Sequence, residues 1–257
     1  MIDPRQIADE LVVAEREHKA IDPFTDTQPD FDLETAYEAQ RLFVKTKVDA
    51  GDVVVGAKLG LTSRAKQVAM NVSDPLYGKV TRTMLAPFGE PIDLTALIQP
   101  RVEPEIAFLL GEELSGRATI TDVLAATKVV FAAMDVLDSR YRDYRFKLPD
   151  VVADNCSAGL FLLGSKAVPP TELPDLRLLG CVLRADGAVV TTAAGAAVMG
   201  HPAASVAWLV RRLAEHGESL PAGSLVFSGG LTAPIPLRVG HSITAEFDGL
   251  GTVEAYA

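Results

Sequence analysis

The sequence predicts an α+β fold in which a mixed, mostly antiparallel β core follows a helical N-terminal segment. Apolar residues recur at helical spacing over residues 4–19 and 33–50, whereas short β-branched runs separated by turn signals prevail from residue 52 onward. Strand-like runs outnumber helices and come in hairpin-like pairs, as at Arg184–Ala188, where Asp-Gly supplies the positive φ of a tight turn. This succession favours an antiparallel core over a doubly wound parallel sheet.

Two helices make up the N-terminal part of the prediction. Asp3 can cap the first helix, Asp32 can cap the second, and Gly51 ends the second. No linker rich in serine or glycine follows them. We therefore predict a helical N-terminal segment over residues 1–51 and a β-rich core, which carries the functional site, over residues 52–257.

The elements of the core follow from residue 52 onward. Predicted strands begin at Val53 or cover 101–108, 129–137, 159–164, 224–227, 242–247 and 252–256, although a helix stays open for 129–137. Predicted helices cover 64–70, 121–128 with Thr121 as the cap, and 203–216. Residues 74–78 read as a turn cluster and residues 138–157 as a polar loop.

Composition limits the classes of function. The chain has 257 residues, 48% hydrophobic and 23% charged, so it can bury a large core without disulfides. Its net charge of −10 disfavours general binding to nucleic acid or to an anionic membrane. Its two cysteines form no metal-binding or disulfide pattern. Because neither a signal peptide nor an apolar run of roughly 20 residues is recognisable, we expect a cytoplasmic protein with no membrane or nucleic-acid partner.

The stretch Arg101–Phe108 contains the first candidate functional residues, Glu103 and Glu105. Its flanks are apolar and predict a strand, in which alternation places both carboxylates on one face. Two such anions repel each other and lose hydration, and a divalent cation between them would remove both penalties. Oxygen ligands suit Mg²⁺ or Mn²⁺. An edge strand with both glutamates in water is the alternative, and Pro104 would fit such an edge.

Asp135 and Lys58 are the other two residues that an apolar surrounding makes unexpected. Asp135 needs a partner, and it can be a third metal ligand or one half of an ion pair with a buried arginine. Lys58 follows a β-branched run; among apolar residues and near a metal, its pKa would be lowered, which suits proton transfer. A lysine that extends from the strand end into water is the alternative reading of Lys58.

Several common catalytic motifs are missing from the sequence. It contains no Gly-x-Ser-x-Gly elbow, phosphate loop or dinucleotide fingerprint, and its four histidines show no ligand spacing. Gly229 and Gly230 are adjacent but lack the lysine or helix start that phosphate binding needs. The acids and Lys58 are therefore the candidates that remain.

Four motifs in fixed order carry a resemblance to a known family. They are Gly-Ala-Lys-Leu-Gly-Leu-Thr-Ser at 56–63, Glu-Pro-Glu-Ile-Ala-Phe at 103–108, Met-Asp-Val-Leu-Asp-Ser-Arg at 134–140 and Asp-Asn-Cys-Ser at 154–157. With them the chain resembles, over nearly its whole length, the 2-keto-4-pentenoate hydratase/4-oxalocrotonate decarboxylase family of the fumarylacetoacetate hydrolase-like superfamily. The resemblance implies a distorted β-barrel or roll core of the fumarylacetoacetate hydrolase type.

The resemblance also implies roles for individual residues. A divalent metal, usually Mg²⁺, is expected on Glu103, Glu105 and Asp135, where the family usually has a third glutamate. The family's lysine falls on Lys58. Substrate contacts are expected at Leu59, Tyr77, Ser157 and Thr232, of which the last two fall where the family holds the substrate carboxylate.

The motifs around Lys58 favour a decarboxylase. Lys58–Ser63, Met70-Asn71 and Pro75–Thr81 resemble the decarboxylase version, whereas hydratases tend to carry an acid where this chain has Arg82. A basic residue there could bind the distal carboxylate of a dicarboxylic substrate. We therefore expect Arg82 or Arg140 to orient the leaving carboxylate and Lys58 to shuttle a proton.

The predicted function is metal-dependent decarboxylation of 4-oxalocrotonate (2-oxo-3-hexenedioate) to 2-hydroxypenta-2,4-dienoate and CO₂ in the meta-cleavage degradation of aromatics. The alternatives are a 2-keto-4-pentenoate hydratase, an acylpyruvate-type hydrolase, and a non-catalytic subunit that supports a partner hydratase. The substrate is expected to be a small 2-oxo dicarboxylic acid. The resemblance further implies a homo-oligomer and a complex with a partner hydratase or decarboxylase.

Overall fold

A computed structural model of the chain describes residues 3–70, 72 and 74–257. The α-helices in this part are α1 (Pro4–Arg16), α2 (Leu33–Asp49), α3 (Arg64–Met70), α4 (Ile120–Ala126), α5 (Leu148–Ala153) and α6 (Pro202–Ala214). The β-strands are β1 (Val54–Gly60), β2 (Leu76–Thr81), β3 (Arg101–Leu110), β4 (Thr127–Leu137), β5 (Ala158–Leu163), β6 (Gly180–Ala185), β7 (Ala188–Ala194), β8 (Leu225–Phe227), β9 (Ile235–Pro236), β10 (Ser242–Phe247) and β11 (Gly251–Tyr256). Among the described residues, no helix combines the length and the hydropathy that crossing a membrane requires.

The strands form two sheets, and the predicted α+β class with a mixed, mostly antiparallel core is confirmed. The larger sheet has the order β2-β1-β8-β3-β4-β5, with β9 beside β3, and the smaller has the order β11-β10-β6-β7. Only the pairing of β1 with β8 is parallel among the described strand pairs. The hairpin predicted at Asp186-Gly187 joins β6 to β7, and both turn residues have positive φ.

The larger sheet is rolled. Phe161 on β5 and Phe227 on β8 have ring centres 4.5 Å apart, although β3 and β4 lie between their strands, a separation of roughly 14 Å in a flat sheet. Past the end of β2, Leu85 forms a bridge with Phe161, and the Ala86 N–H donates to the Phe161 carbonyl at 2.9 Å. The roll therefore brings the β2 side of the sheet back to β5, and the face that carries Phe161 and Phe227 becomes its inner face.

The two faces of the rolled sheet bury different groups. On the outer face, residues such as Leu59, Ile106 and Val136 pack in one core with α6 and with the smaller sheet. On the inner face, a smaller apolar cluster includes Phe161 and Phe227. Because strand residues alternate between faces, the odd-numbered residues of β3 and β4 and the even-numbered Lys58 of β1 lie on the inner face with this cluster.

Pro104 fits inside β3 because of the side to which its backbone points. Its carbonyl accepts a hydrogen bond from the Leu231 N–H at 2.9 Å. In an antiparallel strand, the N and O of one residue point to the same side, so the missing N–H of proline faces the segment around Leu231 and leaves the ladder with β4 intact. The alternative of an edge strand is wrong, because β3 pairs with β4 on one side and with β8 and β9 on the other.

The N-terminal helices begin as predicted. The Asp3 carboxylate accepts from the Arg5 N–H, and the Asp32 carboxylate accepts from the Thr35 N–H. Side chains of α1 and α2 share a buried cluster with α5 and with Tyr141. The segment is thus packed against the β-rich part, and the boundary between residues 51 and 52 stays a prediction.

Three local predictions need correction, and one motif cannot be assessed. Helix α4 is capped by Thr119 rather than Thr121, because Thr119 forms a capping box with Asp122. The turn cluster predicted at 74–78 gives way to β2 from Leu76, since pairing with β1 extends these residues. The loop predicted at 138–157 contains α5 and is largely buried. Asn71 of the decarboxylase-like motif lies outside the described residues.

Candidate metal centre

Two antiparallel strands place three carboxylates together on the inner face. Glu103 and Glu105 are two residues apart in β3, and Asp135 of β4 is the direct partner of Glu103 in the register. One carboxylate oxygen from each of the three lies within 4.8 Å of the others, and all three residues are buried. Like charges at such positions repel each other, so this cluster needs a compensating cation.

The electrostatics of the cluster fit a hard divalent cation. Burial, and then the charges of Asp135 and Glu103, raise the pKa of Glu105 well above its ordinary value. The Oε2 atom of Glu105 accepts from the Gly229 N–H at 2.8 Å, whereas its buried Oε1 atom has no hydrogen-bond partner among the described residues. Three carboxylates, one of which has this orphaned oxygen, form the kind of oxygen donor set that Mg²⁺ or Mn²⁺ prefers.

Lys58 places a positive charge beside these carboxylates. Its Nζ atom lies 2.5 Å from Oδ2 of Asp135 and donates to the Cys156 carbonyl at 2.9 Å. The residue is 1% exposed, so the alternative of a lysine reaching into water is wrong. Asp135 pairs with this lysine, whereas the buried Arg140 pairs with Asp154.

The protein's own charges raise the pKa of Lys58, whereas the predicted lowering applies to Lys58 beside a bound metal. Burial would lower it, but the negative charges nearby, first that of Asp135, outweigh burial and hold the pKa above its ordinary value. A lone lysine in an apolar setting would have a lowered pKa. The three carboxylates around Lys58 outweigh this effect and raise its pKa. A divalent cation on those carboxylates would weaken their field and move the pKa of Lys58 back down.

Adjacent glycines form one wall of the cluster, a role that the sequence argument missed. A Cβ on Gly230 would lie 2.2 Å from the carboxyl of Glu103, and a Cβ on Gly229 would lie 2.1 Å from Oγ1 of Thr62. Gly229 also has a φ of +103°, which disfavours side chains. The available signal was the Gly-Gly pair itself, which indicates close approach of the backbone as well as phosphate binding.

Replacing Gly230 by alanine should displace the Glu103 carboxylate and weaken Mg²⁺ binding by about 10–100-fold, as calorimetric titration would measure. The matched control is Gly180→Ala, because a Cβ at Gly180 meets nothing within 4 Å. Unchanged Mg²⁺ affinity in folded Gly230→Ala would show that Glu103 is not held by this wall.

The segment Asp154–Ser157 reaches the cluster through its backbone. Cys156 contributes its carbonyl to Lys58, while burial raises the pKa of its thiol to about 12, so the thiol stays protonated. The hydroxyl of Ser157 donates to Asp154 at 3.2 Å. A substrate carboxylate at Ser157 would therefore have to replace Asp154 as the partner of that hydroxyl.

The other predicted substrate contacts lie at different distances from the cluster. Thr232 is half-buried and lies two residues after Gly230, whose backbone lies against the Glu103 carboxyl. Leu59 and Tyr77 are register partners whose side chains lie in the outer core, and Tyr77 stacks on Tyr37 with ring centres 4.9 Å apart. The structure does not bring these two side chains to the acids, because strand neighbours of Lys58 project to the opposite face.

The two arginines expected to orient a leaving carboxylate are elsewhere. Arg82 is exposed, and its N–H donates to the carbonyl of Val53, which precedes Lys58 by five residues, or roughly 16 Å along a strand. Arg140 is 1% exposed, and its guanidinium donates hydrogen bonds to the Asp154 carboxylate and to three backbone carbonyls. Within one chain, the structure therefore does not aim Arg140 at the cluster, and it does not bring Arg82 there.

A family model and two relatives match most of the chain. The model of the family "Fumarylacetoacetate (FAA) hydrolase C-terminal" matches residues 49–256. A 4-oxalocrotonate decarboxylase from a Pseudomonas species (strain CF600) is 42% identical over 250 residues, which cover 97% of this chain and 94% of the relative. A 2-keto-4-pentenoate hydratase from Burkholderia vietnamiensis is 38% identical over 252 residues, which cover 97% of this chain and 95% of the relative.

A solved structure agrees with the same assignment over almost the entire fold. It is a 4-oxalocrotonate decarboxylase from Pseudomonas putida complexed with magnesium and adipate, with a TM-score of 0.95 and 38% identity, covering 98% of this chain and 96% of that one. A fumarylpyruvate hydrolase from Pseudomonas aeruginosa, with a TM-score of 0.61 and 15% identity over 78% of this chain and 87% of that one, shares the fold alone.

Proposed function

Because the chain belongs to the fumarylacetoacetate hydrolase family, we propose that it is a divalent-metal-dependent lyase that decarboxylates 4-oxalocrotonate to 2-hydroxypenta-2,4-dienoate and CO₂. The observation that carries this proposal is the buried set of three carboxylates with Lys58 beside them. Such a set is costly to bury and is typical of a functional site. The decarboxylase relatives supply the choice of reaction.

The ligand bound to one relative supports a dicarboxylic substrate. Adipate, found in the Pseudomonas putida decarboxylase structure, is a six-carbon dicarboxylate, as is 4-oxalocrotonate. The structural match covers 98% of this chain and 96% of that one, so it spans the region of the candidate site. We infer that this chain also takes a 2-oxo dicarboxylic acid of about this length.

We propose that Glu103, Glu105 and Asp135 hold Mg²⁺ or Mn²⁺. When bound, the metal would polarise the 2-oxo group of the substrate and so stabilise the negative charge that develops as CO₂ leaves. The acids are pre-arranged for this task, because strand pairing and the glycine wall fix their positions before any ligand arrives.

Lys58 is the residue to which we assign proton transfer. Breaking the C–C bond to the remote carboxylate releases an electron pair that passes through the conjugated double bond of the substrate to the 2-oxo oxygen, and that oxygen then takes up a proton. The Nζ atom of Lys58 can hold and release that proton, and its bond to the Cys156 carbonyl keeps it directed at the cluster. Transfer of this proton to the oxygen gives 2-hydroxypenta-2,4-dienoate, with CO₂ as the other product.

Apolar side chains border the acids on the inner face and limit access of water. Phe161 is the register partner of Asp135, and Phe227 is the register partner of Lys58. Both rings are fully buried. Interactions between charges strengthen where water is excluded. No arginine is assigned to the leaving carboxylate, since Arg82 and Arg140 do not face this site.

The main alternative is hydration of 2-keto-4-pentenoate. A hydratase relative is only four percentage points less identical than the decarboxylase relative, 38% against 42%, and the same acids and lysine could serve the addition of water. An acylpyruvate-type hydrolase has weaker support, because the hydrolase neighbour shares the fold alone. A non-catalytic subunit does not explain why three carboxylates and Lys58 are buried together.

Incubating the protein with each substrate in turn should separate these functions. We expect CO₂ release from 4-oxalocrotonate that EDTA abolishes and added Mg²⁺ restores, because metal polarisation contributes several kcal/mol to the barrier. Formation of 4-hydroxy-2-oxopentanoate from 2-hydroxypenta-2,4-dienoate, with no CO₂ from 4-oxalocrotonate, would instead establish the hydratase. The measurement is CO₂ evolution together with chromatography of the acids.

Assembly belongs to the proposal as well. We propose that the chain forms a homo-oligomer and that it associates with a partner hydratase that consumes its product. Light scattering coupled to size-exclusion chromatography, with and without that partner, measures both.

A further inference from the structure

The turn that holds Lys58 has an unusual backbone. Asn155, Cys156 and Ser157 have φ values of 49°, 56° and 55°, three consecutive residues in the left-handed region without a glycine among them. Residues other than glycine rarely adopt this region, and each costs free energy there. All three are buried. The surrounding structure must therefore impose this conformation.

Arg140 forms hydrogen bonds with both ends of this turn. Its Nη2 atom donates to the Asp154 carbonyl at 2.6 Å, and its Nη1 atom donates to the Ala158 carbonyl at 2.8 Å. Its Nε atom donates to the Asp154 carboxylate. The same carboxylate accepts from the Ser157 hydroxyl. One buried guanidinium with one carboxylate thus closes the left-handed turn around Cys156.

Asn155 fixes the turn to the strand beside Lys58. Its side chain accepts from the Lys79 N–H at 2.8 Å and donates to the Lys79 carbonyl at 2.9 Å, as a neighbouring strand would. The preceding residue, Gly78, is the register partner of Lys58, and a Cβ there would lie 2.7 Å from the Asn155 carbonyl. The distance between the turn and β1 is therefore set by direct contact.

We propose that Arg140 and Asp154 are positioning residues for Lys58, because they hold the left-handed turn whose Cys156 carbonyl receives the Lys58 ammonium. The inference deepens the proposed function and rests on it for the role of Lys58. Asp135, the other partner of Lys58, is also a proposed metal ligand. The Cys156 carbonyl, unlike Asp135, is not a proposed metal ligand. It can therefore keep Lys58 in place when the carboxylates bind a cation.

Arg140 also contacts the N-terminal segment, which precedes residues 49–256 that the family model matches. Glu15 of α1 lies 3.9 Å from the Arg140 guanidinium, and the ring of Phe43 in α2 lies 5.4 Å from its centre. Gln40 of α2 donates to the carbonyls of Tyr77 and Val152, and so ties β2 to α5. The helices thus support Arg140 from outside.

The test compares Asp154→Asn and Asn155→Gly with wild type. Asp154→Asn removes the negative charge that pairs with the Arg140 guanidinium. Asn155→Gly removes the side-chain contact with Lys79, and glycine adopts the positive φ of this position without strain. This variant can therefore be measured even if Asp154→Asn does not fold. We expect kcat to fall about 100-fold, as for a displaced reacting group, while KM and the Mg²⁺ affinity stay unchanged. Asp154→Glu, which restores the carboxylate, should recover part of kcat.

Arg145→Ala is the matched control, because Arg145 forms an exposed ion pair with Asp26 at 2.7 Å between the same two parts of the chain. It should leave kcat unchanged. The proposal would be wrong if the fall in kcat of the Asp154 and Asn155 variants only matched their loss of folded protein. It would also be wrong if KM and the Mg²⁺ affinity changed as much as kcat.

A second readout needs no substrate. Nuclear magnetic resonance of ¹⁵N-labelled lysine should show a protected Lys58 ammonium signal, identified by its absence in Lys58→Met, and this signal should be lost or shifted in the Asp154 and Asn155 variants. An unaltered signal in both variants would overturn the positioning role. Absence of turnover by wild type would instead refute the proposed function, and the ammonium signal would still decide the positioning role.

Discussion

Glu105→Gln should lower turnover by about 1000-fold or more, because several kcal/mol of transition-state stabilisation come from the metal that this residue would bind. Mg²⁺ affinity should fall by more than about 100-fold, since a direct ligand is lost. The glutamine has the same shape but no charge, so the packing of β3 is kept. Calorimetric titration with Mg²⁺ and a CO₂ assay measure the two effects.

The same variant should be more stable than wild type when both are free of metal. Glu105 is fully buried beside Asp135 and Glu103, and removing its charge relieves their repulsion. Wild type should regain stability with Mg²⁺, by about 2.7 kcal/mol at 100 times the dissociation constant, whereas Glu105→Gln should not. The control is Glu112→Gln, an exposed acid just beyond β3. A variant that still responds to Mg²⁺ like wild type would contradict the assignment of the ligand.

Stability without metal should also depend on pH through Glu105. Its pKa is raised in the folded state, so between the unfolded and folded values the folded protein binds more protons. Its contribution to the free energy of unfolding is therefore present at low pH and is lost as the pH rises above the ordinary value of 4.5. Denaturant unfolding of wild type and Glu105→Gln over a pH series isolates this contribution as their difference.

Lys58→Met should reduce turnover by about 10²–10⁴-fold at saturating Mg²⁺, the usual contribution of a positioned acid or base. Without metal the variant should also lose about 3–5 kcal/mol of stability, because three buried carboxylates would lose the positive charge of Lys58. Mg²⁺ should bind at least as well as in wild type, since all three ligands remain. Kinetics, denaturant unfolding and calorimetry distinguish these effects.

Lys58→Arg is the control that separates charge from proton transfer. A guanidinium restores the positive charge but does not deprotonate in proteins, so stability should recover more than turnover does. If Lys58→Met turned over 4-oxalocrotonate like wild type, the proton-transfer role of Lys58 would be wrong.

Much of the candidate site was accessible from the sequence. Glu103 and Glu105 stand in an apolar stretch with one residue between them, and strand alternation alone places them on one face. Asp135 and Lys58 were identified as charges inside apolar runs. This works because burying a charge is expensive, so a charge in such a run indicates a partner.

The roles assigned to arginines show where this reasoning fails. Residues 138–157 looked like an exposed polar loop, yet Arg140 and Asp154 are buried and satisfy each other there. Composition cannot distinguish a polar segment in water from one whose polar groups are paired internally. The same limit applies to Gly229 and Gly230, whose role depends on the carboxylate that happens to lie against them.

The sequence by itself determined the class of the fold, the strands of the site and the residue types that could bind a metal, because these depend on local periodicity and on the cost of burying charge. Only the tertiary structure decided which charges meet. The register of β3 against β4 sets Glu103 opposite Asp135, and the roll of the sheet brings Lys58 from β1 onto the same face. Register and closure depend on contacts between residues far apart in the chain, which no local pattern encodes.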